Sequence, residues 1–304
     1  MPININAQLP ARQVLEQENV FVMCQERAVQ QDIRPLRIVI LNLMPTKIET
    51  ETQLLRLLSN SPLQVDIELL QMASHVSKNT SKEHLLQFYK TFDEIKHERY
   101  DGMIVTGAPV EKLEFEQVDY WPELCEIFAW SKRHVWSTFH ICWGAQAGLY
   151  FHHGIQKFPL EQKCSGVFAH ELTDPTHPLL RGIDDTFWIP HSRYTTVRRE
   201  DIEADERLKL ISWSPDAGVA LISDADCRYF YATGHSEYDR DTLAKEYTRD
   251  VGRGIDPAVP ANYFPGNDSA GIPLMNWRGA ANLLFSNWLN YFVYQHTPYD
   301  LSMM

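Results

Sequence analysis

Cysteine is scarce and scattered in this chain of 304 residues: Cys24, Cys125, Cys142, Cys164 and Cys227 are odd in number and no two stand at CxxC spacing. That pattern speaks against a disulfide framework and against a zinc knuckle, and reads as a set of reduced thiols. Basic residues are in deficit, 28 Lys and Arg against 40 Asp and Glu, for a formal net charge of −12. The deficit argues against a broad nucleic-acid or anionic-membrane surface, although a local basic pocket for a phosphate is compatible with it. No uncharged run approaches the length of a membrane span, and residues 1–10 have neither a basic region nor an apolar core of signal-peptide length. A soluble, cytoplasmic protein with no membrane or nucleic-acid partner is expected. The sequence also lacks a Gly-rich phosphate loop. Its histidines, among them His152, His153, His170 and His191, show no coherent metal spacing, so no metal is expected.

What is present is the composition of a packed globular protein, 44% hydrophobic and 12% aromatic. Residues 1–35, with two early prolines, an apolar pulse at Val20 to Met23 and a polar Gln/Arg-rich stretch, read as an N-terminal arm; residues 36–304 read as one catalytic-sized α/β domain that includes a C-terminal helix. Leu36 to Leu43 has the near-continuous aliphatic character of a central parallel strand, stopped by Met44 and Pro45. Thr46 or Thr50 can cap a helix carrying Leu54, Leu55, Leu57 and Leu58, and a second strand follows from Gln64 to Leu70. A helix is expected around His84 to Phe92, a third strand from Tyr100 into the Gly107-Ala108-Pro109 loop, and a helix with Trp121, Leu124, Ile127 and Phe128 on its apolar face. This alternation is that of a doubly wound sheet. Between residues 156 and 225 short strand-like pieces separated by Pro, Asp and His loops suit an added antiparallel layer. A final aromatic helix, Trp277 to Tyr294, is expected to pack on the core.

Two stretches carry chemistry. His134 to Ile141 is β-prone and runs into Cys142, after which Trp143-Gly144-Ala145-Gln146-Ala147 begins a helix-compatible run. A cysteine at such a strand-to-helix turn projects from the end of a sheet, where the first free N–H groups of the helix favour a thiolate and a developing oxyanion. Cys142 as one more buried small hydrophobe is the plain alternative. The second stretch is Gly234-His235-Ser236-Glu237, at the exit of another hydrophobic strand. A carboxylate two residues from a histidine can fix the imidazole tautomer while the other ring nitrogen faces a nucleophile, although an ordinary polar loop has the same composition. Together, Cys142, His235 and Glu237 form a Cys–His–Glu order able to converge at one sheet edge.

On these motifs the chain is similar to the class I glutamine amidotransferase fold, a flavodoxin-like doubly wound sheet, with His140 where that fold usually has glycine two places before the cysteine. It resembles more closely, over nearly its whole length, the homoserine O-acyltransferases of methionine biosynthesis. The segments that carry this are Glu18 to Met23, Leu41 to Glu51, Leu57 to Asp66, Val105 to Pro109, Cys142-Trp143, Pro190 to Tyr194, Gly234 to Asp239 and Asn282 to Tyr291.

The resemblance implies a ping-pong acyl transfer with Cys142 as acyl carrier, His235 as base and Glu237 supporting the imidazolium. It implies acyl-CoA and L-homoserine as substrates, no separate cofactor, and a homodimer. Lys163, Ser192 and Arg249 match positions used for the amino-acid substrate, and Glu246, three residues before Arg249, is a further candidate. Glu111 matches the position that separates acyl donors: glycine there goes with succinyl and glutamate with acetyl, so acetyl-CoA is expected. The physical reason agrees, because a buried carboxylate repels and crowds the succinyl terminus. Backbone N–H groups near Trp143 and in the loop after Leu43 are candidates for the oxyanion site, each such donor being worth roughly 3 kcal/mol in other enzymes. Lys47 is a candidate auxiliary cation. Succinyl transfer, a glutaminase, a cysteine hydrolase and a non-catalytic sensor are the alternatives.

Overall fold

The computed structural model describes residues 3–4, 6, 8–17, 22–23, 34–75 and 79–303, and all structural statements concern these. The strands are β1 (Ile3–Asn4), β2 (Val22–Met23), β3 (Leu36–Leu41), β4 (Val65–Leu70), β5 (Tyr89–Lys90), β6 (Tyr100–Val105), β7 (Val135–Ile141), β8 (Phe158–Leu172), β9 (Thr186–Thr196), β10 (Leu208–Ser214), β11 (Gly218–Asp224) and β12 (Tyr229–Ala232). The helices are α1 (Pro10–Gln17), α2 (Lys47–Leu58), α3 (Lys82–Phe88), α4 (Phe92–Ile95), α5 (Trp121–His134), α6 (Trp143–His153), α7 (Arg199–Glu203), α8 (Thr242–Gly252) and α9 (Arg278–Asn287).

All the strands belong to one sheet in the order β2-β1-β4-β3-β6-β7-β12-β11-β10-β8-β9, with β5 on β4. From β2 to β12 the pairings are parallel; from β12 to β9 they are antiparallel. The antiparallel strands expected as an added layer therefore extend the parallel sheet through β12. The short pieces seen in the sequence around Val167 and Phe187 are parts of the long hairpin β8–β9, paired from Phe158↔Thr196 to Glu171↔Thr186.

Successive residues of β3 serve opposite faces, which explains its unbroken aliphatic run. Ile38 and Ile40 pack with Leu54 and Leu55 of α2 and with Leu284 and Phe285 of α9, whereas Val39 and Leu41 pack with Leu124, Ile127 and Phe128 of α5. The apolar face assigned to α5 is thus the one it buries. The helix expected around residues 84–92 is broken into α3 and α4 because Tyr89 and Lys90 leave it to pair with Leu69 and Leu70. Beyond Asn287 the last helix continues as a π-helix, Trp288–Tyr294, that buries Trp288, Leu289, Phe292 and Val293.

The segment expected as an arm contributes to the core where it is described. Ile3 pairs in parallel with Val22 and Val65, and α1 buries Ala11 and Leu15, four residues apart on one helical face. Most of residues 18–33, including Cys24, lies outside the described residues. Among the described residues no helix is long and apolar enough to cross a membrane.

Candidate active site

The parallel strands β3, β6, β7 and β12 all end at one edge of the sheet, the edge at which α/β sheets hold ligands. Register then sets what meets there. Ala232 of β12 is paired with Ile141 of β7, and the Cys142 N–H donates to the Ala232 carbonyl at 2.7 Å. Three residues past Ala232 stands His235, whose own N–H donates to Pro190 O at 2.8 Å and anchors the loop on β9.

Cys142 takes φ 52° and ψ −117°, a conformation that L residues rarely adopt, and it precedes the first turn of α6. Such strain persists only where the surroundings impose it. Here α6 sits so close to β6 that a side chain at Gly144 would lie 2.5 Å from the Thr106 carbonyl. The Ala145 and Gln146 N–H groups bond to Cys142 O at 3.0 and 3.1 Å, while those of Trp143 and Gly144 have no acceptor among the described residues. They are the free N–H groups of a helix N-terminus beside a sulfur. At the start of the loop after Leu43, the Leu43 N–H is engaged by Thr106 Oγ1 at 2.8 Å and that of Met44 by Asn42 Oδ1 at 3.1 Å.

His235 is hydrogen-bonded to Glu237, Nδ1 to Oε1 at 2.6 Å, and interacts electrostatically with the Cys142 side chain. Burial pulls the imidazole pKa down, but Cys142 and Glu237 together more than offset this and hold it well above its ordinary value. Gly107, in the loop after β6, lies flat against both partners: a Cβ there would stand 3.2 Å from Cys142 Cβ and 3.4 Å from His235 Cε1. Gly107, expected only as part of the loop that ends the third strand, is thus a wall of the site.

These residues open into a cleft of about 460 Å³ whose lining includes Glu111, Lys163, Ser192, Tyr194, Tyr238, Glu246 and Arg249. Lys163 comes from β8 and Ser192 from the paired strand β9; both meet α8. Glu246 Oε2 receives the Ser192 hydroxyl and, at 3.3 Å, the Lys163 ammonium, while Oε1 receives the Tyr238 hydroxyl at 2.9 Å. Asp250, one turn on, pairs with Lys163 at 3.3 Å and with Arg249 at 2.9 Å. Tyr238 and Asp250 were not singled out as site residues; the i, i+4 spacing of Glu246 and Asp250 on α8 was the available signal for the second.

Glu111 lines the same cleft. Burial raises its carboxyl pKa against the Tyr194 backbone N–H and the charges of His235, Lys163 and Arg193, and its Oε2 is buried without a hydrogen-bond partner. Lys47 does not line the cleft. Its ammonium donates to the Asn42 carbonyl beneath the first strand exit, where burial lowers its pKa to about 8 against the pull of Glu51. The Trp143 indole is fully buried with Phe115 and Tyr120, so only its backbone faces the cysteine turn. At His140, where the related fold has glycine, the ring is buried, stacks on Tyr231 and donates from Nδ1 to Phe230 O at 3.2 Å. Among the described residues no group of three His, Cys, Asp or Glu is arranged to hold a metal ion.

A glutamine amidotransferase from Thermotoga maritima shares the fold, with a TM-score of 0.55 over 86% of this chain and 100% of that one at 12% identity. A homoserine O-acetyltransferase of Brevibacillus brevis is 60% identical over 302 residues, covering 99% of each chain. One from Methanomethylophilus alvi is 59% identical over 302 residues, covering 99% of this chain and 98% of that one. The family model described as homoserine O-succinyltransferase matches residues 2–299, and the chain belongs to that family.

Proposed function

We propose that this protein is a homoserine O-acetyltransferase, moving an acetyl group from acetyl-CoA to the γ-hydroxyl of L-homoserine through an acyl-cysteine. One observation carries the reading: the strained Cys142, backed by the His235–Glu237 pair, opens into a cleft lined by a polar group of Ser192, Lys163, Glu246 and Arg249. A relay of this kind suits acyl transfer, and a group bearing both charges suits a zwitterionic acceptor.

In the first half-reaction His235 takes the Cys142 proton, and the sulfur attacks the thioester carbonyl carbon. The tetrahedral oxyanion faces the free N–H groups at the start of α6, and the C–S bond to CoA then breaks. The departing CoA sulfur takes the proton from His235. In the second half the homoserine hydroxyl gives its proton to His235 as its oxygen attacks the acyl carbon; the bond to Cys142 breaks and the proton returns to that sulfur. Glu237 holds the imidazole and offsets its charge. Arg249 takes the homoserine carboxylate and Glu246 its ammonium, with Ser192 and Lys163 setting the length of the site. Acetyl-CoA is a co-substrate and no separate cofactor is needed. Lys47, buried beside the site, acts through the loop after β3.

The choice of acetyl rests on Glu111 and agrees with the names of the relatives above. The family description favours a second reading, succinyl transfer, but a succinyl carboxylate would face the buried Glu111 carboxylate across the acyl pocket. A cytoplasmic homodimer accompanies the main reading, and sedimentation velocity of the purified protein tests the dimer. Intact-mass measurement after adding acetyl-CoA, with and without homoserine, tests the reaction. One acetyl on Cys142, discharged by homoserine to O-acetylhomoserine, is expected. No adduct, discharge to water alone, or ammonia release from glutamine would overturn it.

A further inference from the structure

Tyr238 touches both halves of the cleft. Its ring lies parallel to the His235 imidazole, with centroids 4.1 Å and planes 18° apart, and its hydroxyl donates to Glu246 Oε1 at 2.9 Å. The residue is buried and held from behind. The Trp277 indole donates to its carbonyl at 3.1 Å, and its own N–H donates to the His235 carbonyl at 3.3 Å. The Tyr238 backbone is therefore tied to the loop that carries His235.

We propose that Tyr238 is a positioning residue that ties the base to the acceptor site, its ring holding the His235 imidazolium and its hydroxyl holding Glu246 ready for the acceptor's ammonium. The inference rests on the acyltransferase reading above. A phenol face is electronegative and attracts a cation stacked on it, so the ring favours the protonated imidazole formed in both half-reactions. Glu246 offers about four acceptor directions. Three are taken by Tyr238, Ser192 and Lys163, which sets the carboxylate in one orientation with one direction left for a further donor. An acceptor with an ammonium group engages this carboxylate and, through Tyr238, the base. Water does not, and the arrangement favours transfer over hydrolysis.

The test compares Tyr238→Phe and Tyr238→Leu in the full-length enzyme. CoA release on mixing with acetyl-CoA reports acylation, followed over roughly pH 5 to 10. Decay of the isolated acyl-enzyme, with and without homoserine, reports the second half. The pH limb read is that of His235, which is faced by Cys142, Glu237 and Tyr238 and, at longer range, by Glu111 and His191. Tyr238→Leu removes stack and hydroxyl; it slows acylation about tenfold and moves the alkaline limb to lower pH. Tyr238→Phe keeps the stack, so it restores most of the acylation rate and the limb. It raises the homoserine concentration for half-maximal discharge about fivefold and enlarges the share lost to water.

A leucine variant with wild-type acylation and pH limb would overturn the role of the ring. A phenylalanine variant with wild-type homoserine dependence would overturn the role of the hydroxyl, and this holds even where the leucine variant does not fold. Absence of an acyl adduct in the wild type is a different result: it removes the acyltransferase reading itself.

Discussion

The Cys142 N–H donates to the Ala232 carbonyl at 2.7 Å, and this bond between neighbouring parallel strands puts the two chemical motifs side by side. In the proposed reaction Cys142 is the sole acyl carrier. Cys142→Ser should lower transfer at least about 10³-fold, since removing a nucleophile that works as a unit with its base forfeits most of the catalytic advantage. Intact mass after acetyl-CoA addition should show no adduct stable on the timescale of the wild-type one. Full transfer by this variant would move the nucleophile elsewhere.

Glu237→Gln keeps the shape of the side chain that binds His235 Nδ1 and removes its charge. A loss of about 10² to 10⁴ in kcat is expected, the range in which a base loses its orienting carboxylate. His235 is held above its ordinary pKa by Cys142 and Glu237 against burial, so losing one anion should move the alkaline limb of acylation to lower pH. An unmoved limb would separate Glu237 from the chemistry.

Glu111→Gly should shift the ratio of acetyl-CoA to succinyl-CoA turnover toward succinyl by at least about tenfold, because it removes both bulk and charge from the acyl pocket. In the native enzyme the discrimination should weaken as pH falls. Burial raises the Glu111 pKa, and its protonated form no longer repels the succinyl carboxylate. Equal turnover of both donors by the native enzyme would defeat the argument.

Buried histidines should make the fold sensitive to acid. Burial lowers the pKa of His140 to about 3 and that of His170 to about 4, whereas in the unfolded chain each titrates near 6.5. Below about pH 6.5 the unfolded chain binds protons that the folded chain refuses, so stability falls as pH falls. The slope is roughly 1.4 kcal/mol per pH unit for each such histidine until its folded pKa is reached. His235 has the opposite sign: its contribution is full below the unfolded pKa and is lost as pH rises through its raised folded value. Thermal melts between about pH 7 and 5 should show the midpoint dropping, and His140→Phe should flatten that slope. An unchanged slope would exclude His140 as a contributor.

Much of the site is legible in the sequence because its pieces are local. A β-prone run into Cys142 followed by small residues specifies a strand-to-helix turn, and the unbroken aliphatic run of β3 specifies a strand buried on both faces. The helix expected around residues 84–92 is interrupted because Tyr89 and Lys90 pair with β4, and a partner 20 residues away leaves no local mark. Lys47 reads as a cation near the strand exit, yet its ammonium turns down to the Asn42 carbonyl, since the helix rotation about α2 decides which side of the loop it faces.

By itself the sequence determined the residue types and their order: a cysteine before a helix-compatible run, a histidine two residues from a glutamate at a strand exit, and Glu246 three residues before Arg249. Only the tertiary structure decided that β12 lies parallel to β7 in the register that aligns Ala232 with Ile141. It also decided that Glu246 is shared by Ser192, Lys163 and Tyr238, and that Tyr238 lies flat on His235. The reason is physical. Strand and helix periodicities are written over a few neighbouring residues, whereas these contacts join positions up to 91 residues apart, and their partners are chosen by which strand pairs with which.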